Sequence, residues 1–242
     1  MTQLFTASDY ATLHSLVFQP DYPGYKPNVV ESPNGDGVKD VEKRYAHVSE
    51  KYLCKEATGF IDPEFFNVPK NYDRDVELMH YLTKAHDLAV QVAVSLGIPQ
   101  PFWPVRKYSA LRVLEYNATA TTAPHTDFDL FTLMCYRNLP EYFKYLSPSY
   151  PASADTRVER LKTHNRATAL NKQIHFGELM EEIDLTEEGV WLADKHEVVA
   201  SGGPWQYSVV YFAIPNHDAV LSSGITVGKW LEERMSRSRY ER

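Results

Sequence analysis

The apolar positions of this chain change period part-way along it. Over residues 75–96, Leu78, Tyr81, Leu82, Ala85, Ala89, Val92 and Leu96 recur at three- and four-residue spacing, which predicts an amphipathic helix. Gly97 stops it, and Pro99 and Pro101 follow. Residues 40–57 carry a looser helical pattern. The first 37 residues are rich in Pro, Tyr, Asn and Gly, and residues 31–37 read as a turn-dense loop. After Lys107 the period shortens. Residues 107–116, 128–136, 172–176 and 207–214 are short segments rich in β-formers. Residues 177–183 read as a short helical run, and 227–237 as a C-terminal amphipathic helix. Helices first and strands afterwards predict an α+β chain with an antiparallel core.

Composition narrows the function classes. The chain has 242 residues, 43% of them hydrophobic, enough for a sizeable core. A formal net charge of −7, with no basic stripe interleaved with aromatics, points away from nucleic acid. No apolar run is long enough to span a bilayer, and Met1-Thr2-Gln3-Leu4-Phe5-Thr6 lacks the pattern of a signal peptide. The expectation is a cytoplasmic protein without a membrane partner. Cys54 and Cys135 lie far apart, so they read as two reduced, mostly buried thiols. No internal repeat and no Gly-rich phosphate loop appear. The polar, basic stretch 147–171 reads as an insertion or lid with a short helix near 155–163.

One short stretch carries chemistry. His125-Thr126-Asp127 follows Pro124 and precedes an apolar β-segment, so it sits at a strand mouth. It offers one imidazole nitrogen and one carboxylate oxygen to a single metal ion. A second histidine from elsewhere would complete a two-His-one-carboxylate triad, the ligand set of non-haem Fe(II) oxygen chemistry. Spacing leaves four candidates open: His164, His175, His196 and His217. Asp129 shares a strand face with Asp127 and reads as solvent-facing, with contact to a ligand histidine as the functional alternative.

Four blocks, in order, resemble the isopenicillin N synthase-like branch of the Fe(II)/2-oxoglutarate-dependent oxygenases. They are Leu111-Arg112-Val113-Leu114-Glu115-Tyr116; His125-Thr126-Asp127-Phe128; Phe176-Gly177-Glu178-Leu179-Met180-Glu181 with Gly189 and Lys195-His196-Glu197-Val198; and Tyr207-Ser208-Val209-Val210-Tyr211-Phe212 with Thr226-Val227-Gly228-Lys229-Trp230-Leu231. The resemblance implies a double-stranded β-helix (jelly-roll) core with N-terminal and C-terminal helices packed on it. It implies a single domain over 1–242. Within it, residues 1–100 form a loop and helical region, 101–220 the β-helix core with insertion 147–171, and 221–242 hold a C-terminal helix. It also implies iron bound by His125, Asp127 and His196, with 2-oxoglutarate as cosubstrate. Tyr116 matches a family tyrosine near the cosubstrate or substrate.

The chain departs from this family at one telling place. Where the family carries Arg-x-Ser for the far carboxylate of 2-oxoglutarate, this chain has Gln206-Tyr207-Ser208. Glutamine gives neither the charge nor the bidentate fork of arginine. Arg112 shares a strand face with Leu114 and Tyr116 and is the first candidate for the missing charge. Arg106, Lys107 and Arg137 are further candidates. The expected function is oxidation of a small molecule, such as an amino acid or secondary-metabolite intermediate, by Fe(II), 2-oxoglutarate and O2. Two alternatives stand beside it: an Fe(II) oxidase whose substrate chelates the metal without 2-oxoglutarate, and a non-enzymatic β-helix binding protein.

Overall fold

A computed structural model of the chain describes residues 3–29, 43–53, 71–145, 173–183 and 192–238. Its elements in chain order are α1 (Ala7–Val17), β1 (Tyr25–Val29), β2 (Lys43–Val48), α2 (Tyr72–Ser95), β3 (Ala110–Tyr116), β4 (Thr122–His125), β5 (Phe131–Arg137), β6 (Phe143–Tyr145), β7 (Ile174–Phe176), β8 (His196–Val198), β9 (Gln206–Ala213) and α3 (Val227–Ser238). Two antiparallel sheets face each other. The larger has the order β1-β2-β3-β9-β5-β7, and the smaller β4-β8-β6.

Strand alternation divides the apolar side chains into two cores. Leu111, Val113, Phe131, Leu133, Cys135, Val209, Tyr211 and Ala213 leave the outer face of the large sheet and meet the helices. Leu13 and Val17 from α1, and Leu78, Leu82, Ala85 and Ala89 from α2, are fully buried against them. Leu114, Tyr116, Met134 and Val210 leave the inner face and join Tyr45, Phe143 and Phe212 in a smaller cluster between the sheets. The helices therefore cover one face only, and the other is free to build an interior lined partly by polar groups. This is a jelly-roll core with flanking helices. Among the described residues no helix is long and apolar enough to cross a membrane.

The helix expected at 75–96 is α2, capped by Asn71 and closed by Gly97 at φ 69°. The strands expected around 107–116, 128–136, 172–176 and 207–214 are β3, β5, β7 and β9. The run at 177–183 is a 3₁₀ turn over Glu178–Glu182, and the C-terminal helix is α3.

One expectation at the N-terminal end is corrected and one element is added. The first 37 residues contain a helix not singled out from the sequence: Thr6 and Asp9 form a capping box and Tyr10, Leu13 and Val17 make a buried stripe. Where 40–57 read as helical, residues 43–48 form β2, which pairs with β1 and β3. A strand sandwiched in a sheet with both faces partly covered shows little alternation, and its burial pattern then resembles a helix. The insertion 147–171, the short helix near 155–163, Cys54 and His164 lie outside the described residues. Cys135 is buried and in no disulfide among the described residues, and burial pushes its thiol far up.

Candidate metal centre

The smaller sheet brings the two key histidines together. β4 pairs antiparallel with β8 so that His125 and His196 are direct partners, with ring centroids 4.3 Å apart. The chain then turns from β4 toward β5 and places Asp127 against both rings. His125 Nε2 lies 3.7 Å from Asp127 Oδ1, and His196 Nε2 lies 3.9 Å from Asp127 Oδ2. One ligand atom from each of the three residues lies within 4.8 Å of the others. These separations are too long for hydrogen bonds and suit three donors around one ion.

The far side of each ring is fixed by backbone. His125 Nδ1 donates to the Ala123 carbonyl at 2.7 Å, and His196 Nδ1 donates to the Asp194 carbonyl at 2.9 Å. Those bonds set the tautomer in which both Nε2 atoms keep a lone pair for a metal. Burial and then the neighbouring His196 push His125 down to about 4 from 6.5. Burial alone would raise Asp127, but His196, His125 and the Thr132 hydroxyl outweigh it and hold the carboxyl below its ordinary value. The site therefore presents two imidazole lone pairs and one carboxylate.

A proton that the unfolded chain accepts on His125 between pH 6.5 and about 4, and the fold refuses, destabilises the fold as pH falls through that window. Asp129 and Asp194 act in the opposite sense, since burial raises both and the fold retains their protons. The ring itself is the cleaner reporter. In metal-free protein at pH 5.5, long-range ¹H–¹⁵N spectra should show His125 neutral with its proton on Nδ1. A doubly protonated ring would contradict this electrostatic picture.

Asp127 is braced from below. The Thr132 hydroxyl on β5 lies 2.6 Å from Asp127 Oδ2 and 2.8 Å from Asp129 Oδ2. One hydroxyl has one proton to give. Asp129 is 2% exposed, and burial and then the Asp127 charge raise it well above the ordinary carboxyl range. A protonated Asp129 donates to Thr132, and Thr132 donates to Asp127. The solvent-facing reading of Asp129 is thereby corrected: it lies in the bend before β5, where its carbonyl accepts from Leu179 N and its carboxyl turns onto the Thr132 hydroxyl.

The segment after β7 straps the same loop. Glu178 N donates to the Asp127 carbonyl at 2.8 Å, and Leu179 N donates to the Asp129 carbonyl at 3.2 Å. Gly177 lies so close that a Cβ would collide with the Asp129 backbone carbonyl. Gly177→Ala should therefore cost about 1–3 kcal/mol of stability and loosen the metal loop. Urea unfolding checks it, and an unchanged midpoint would mean the loop yields freely.

The other residues singled out in the sequence fall as follows. His175 is buried with its ring 5.1 Å from that of His196, yet it is not part of the ligand group. His217 stacks on Tyr108 at 3.8 Å, in a separate region of the molecule. Tyr116, Gln206 and Ser208 line one cavity between the sheets, together with Arg137 and Phe143. The Gln206 amide donates to the Val199 carbonyl at 2.9 Å. Arg112 faces the same interior, its guanidinium 4.6 Å from the Tyr45 ring and 4.9 Å from the Phe212 ring.

Sequence reasoning missed Thr132, and it offered Arg137 only as one cation among several. A β-bulge decides Arg137. β5 and β9 pair Met134 with Val210, then Tyr136 with Val209 and Arg137 with Ser208. The extra residue turns Tyr136 outward, where it stacks on Tyr10 of α1, and Arg137 inward opposite Ser208.

No protein-family model matches this chain, and no curated protein matches its sequence. Solved structures do match. A full-length Neurospora crassa protein crystallised in complex with alpha-KG superposes with a TM-score of 0.58 at 17% identity, over 94% of this chain and 81% of that one. A proposed oxygenase of Shewanella oneidensis gives 0.53 at 16%, over 96% and 87%. The dioxygenase for auxin oxidation of rice gives 0.50 at 15%, over 93% and 79%. The chain thus shares the jelly-roll fold of these oxygenase structures, with a His-Asp-His group where its two sheets meet.

Proposed function

We propose that this protein is an Fe(II)-dependent oxygenase that uses 2-oxoglutarate and O2 to oxidise a small molecule. The observation that carries the reading is the group His125, Asp127 and His196, two imidazoles and a carboxylate with their donor atoms converging. A binding protein would have no use for three such donors oriented through backbone and Thr132. Fe(II) held there, with 2-oxoglutarate and O2, supplies oxidation of an unactivated C–H bond, with succinate and CO2 leaving as the other products. The protein's own role is to hold the two acids, orient the C–H bond and exclude water.

The far carboxylate of 2-oxoglutarate belongs in the cavity lined by Tyr116, Gln206 and Ser208. Gln206 brings no charge, and one of its amide N–H groups is given to the Val199 carbonyl. Arg137 lies opposite Ser208 in that cavity, with its guanidinium 5.6 Å over the Phe143 ring, which in turn stacks 5.1 Å from the His196 ring. The cation has moved from β9 to the neighbouring strand. Support for a small-molecule substrate comes from the same Neurospora crassa protein, which was also solved with thymine and with 5-formyluracil.

The first experiment is addition of 2-oxoglutarate to the Fe(II)-loaded protein without oxygen. A visible metal-to-ligand charge-transfer band is expected. Iron binding without the band would defeat the 2-oxoglutarate reading and favour the oxidase whose substrate chelates the metal directly.

A further inference from the structure

We propose that Arg112, clasped between Tyr45 and Phe212, is the anchor for a carboxylate on the primary substrate. The substrate is then a small carboxylic acid, distinct from the cosubstrate. This rests on the oxygenase reading above and names the substrate class of the same site.

The first support is an unpaired cation. Arg112 Nε is buried and has no hydrogen-bond partner, and the residue makes no ion pair among the described residues. A buried Nε–H without an acceptor is costly, and a ligand carboxylate that takes Nε–H and a terminal N–H as two parallel N–H···O bonds removes that cost. The two aromatic rings, at 4.6 and 4.9 Å, fix the guanidinium plane without satisfying any of its N–H groups. Such a fork is preorganised for a planar anion.

The second support is position. On the inner face of the large sheet, Arg112 pairs with Val210, one row nearer the metal than Leu114 and Ser208. Phe212, beneath the guanidinium, is the strand partner of Thr132, whose hydroxyl lies 2.6 Å from Asp127. Arg112 and Thr132 stand on strands two steps apart and two residues offset in register, so their backbones are about 12 Å apart. A small acid held at Arg112 can place a C–H bond at the metal across that distance. The cavity holding Tyr116, Arg137, Gln206 and Ser208 does not include Arg112. Two arginines thus enter one interior at different depths, and two acids can be held at once.

The test measures binding and needs no turnover. Mn(II)-loaded protein with 2-oxoglutarate is titrated with benzoate, phenylacetate and hexanoate, and with their primary amides, by paramagnetic relaxation of the probe protons. At least one acid should bind about tenfold or more tighter than its amide. Arg112→Gln should abolish that preference, and Arg112→Lys should keep some of it. In both variants 2-oxoglutarate affinity should stay within about twofold of wild type, which also shows that the site is folded.

The proposal is overturned if wild type prefers none of the three acids, or if Arg112→Gln retains the preference. It is equally overturned if Arg112→Gln weakens 2-oxoglutarate itself about tenfold, because Arg112 would then serve the cosubstrate. Failure of the oxygenase reading looks different. Metal-loaded wild type would bind no 2-oxoglutarate, while the Arg112-dependent acid preference persisted in the Mn(II) protein alone.

Discussion

Asp127→Ala should weaken Fe(II) binding by about 100-fold or more, abolish the charge-transfer band with 2-oxoglutarate and reduce turnover to background. Removing it leaves two imidazoles 4.3 Å apart, with no anion to offset the metal's charge. Losing one of three protein ligands at about 3 kcal/mol gives that factor. The fold should survive in the metal-free state, because β4 and β8 pair through backbone and both rings keep their bonds to Ala123 and Asp194. Asp127→Asn sharpens the test. It keeps an acceptor for Thr132 and removes only the charge. Iron content after gel filtration, compared with the melting temperature of the metal-free protein, separates the two effects. A variant that retains iron at wild-type stoichiometry would shift the site toward His175, the next buried imidazole.

The second large effect concerns Arg137. Arg137→Gln should raise the dissociation constant for 2-oxoglutarate by about 30- to 1,000-fold, the cost of about 2–4 kcal/mol for losing the cation opposite a desolvated carboxylate. Iron affinity should hold, since Arg137 is not one of the three converging donors and approaches His196 through the Phe143 ring. Pyruvate and 2-oxobutyrate, which lack the far carboxylate, should bind wild type and variant alike. Titration of the anaerobic charge-transfer band measures all of these. Equal 2-oxoglutarate affinity in wild type and Arg137→Gln would rule out the relocated anchor, and the missing charge at Gln206 would then need another source.

Much of the frame is visible in the order of residues. α2 is readable because one face of a long helix buries a continuous stripe. β3, β5 and β9 are readable because β-branched and aromatic residues cluster between turns. α1 carried a legible signal, the Thr6–Asp9 capping box, which its Pro- and Tyr-rich surroundings obscured. β4, β6 and β8 have three or four residues each and no pattern of their own. Strands that short persist only through pairing, which a local pattern does not report.

The same division runs through the candidate site. His125 and Asp127 belong to one tripeptide, so their proximity is covalent and the sequence alone determines it. The turn residues and the apolar segments are also local properties, whereas the Gly177 approach to the Asp129 carbonyl is a tertiary contact made by the β5–β7 pairing. The proposed choice of His196 over His175 or His217 rests on the β4–β8 register, which sets His125 and His196 face to face. Arg137 depends on tertiary structure more sharply still. Simple alternation from Thr132 and Met134 sends Tyr136 inward and Arg137 outward. One bulged residue reverses them, because pairing with β9 and the stack of Tyr136 on Tyr10 together favour the shifted register. Side-chain direction in a strand has a period of two, so a single extra residue moves a charge from solvent to the interior, and only the partner strands determine where that residue goes.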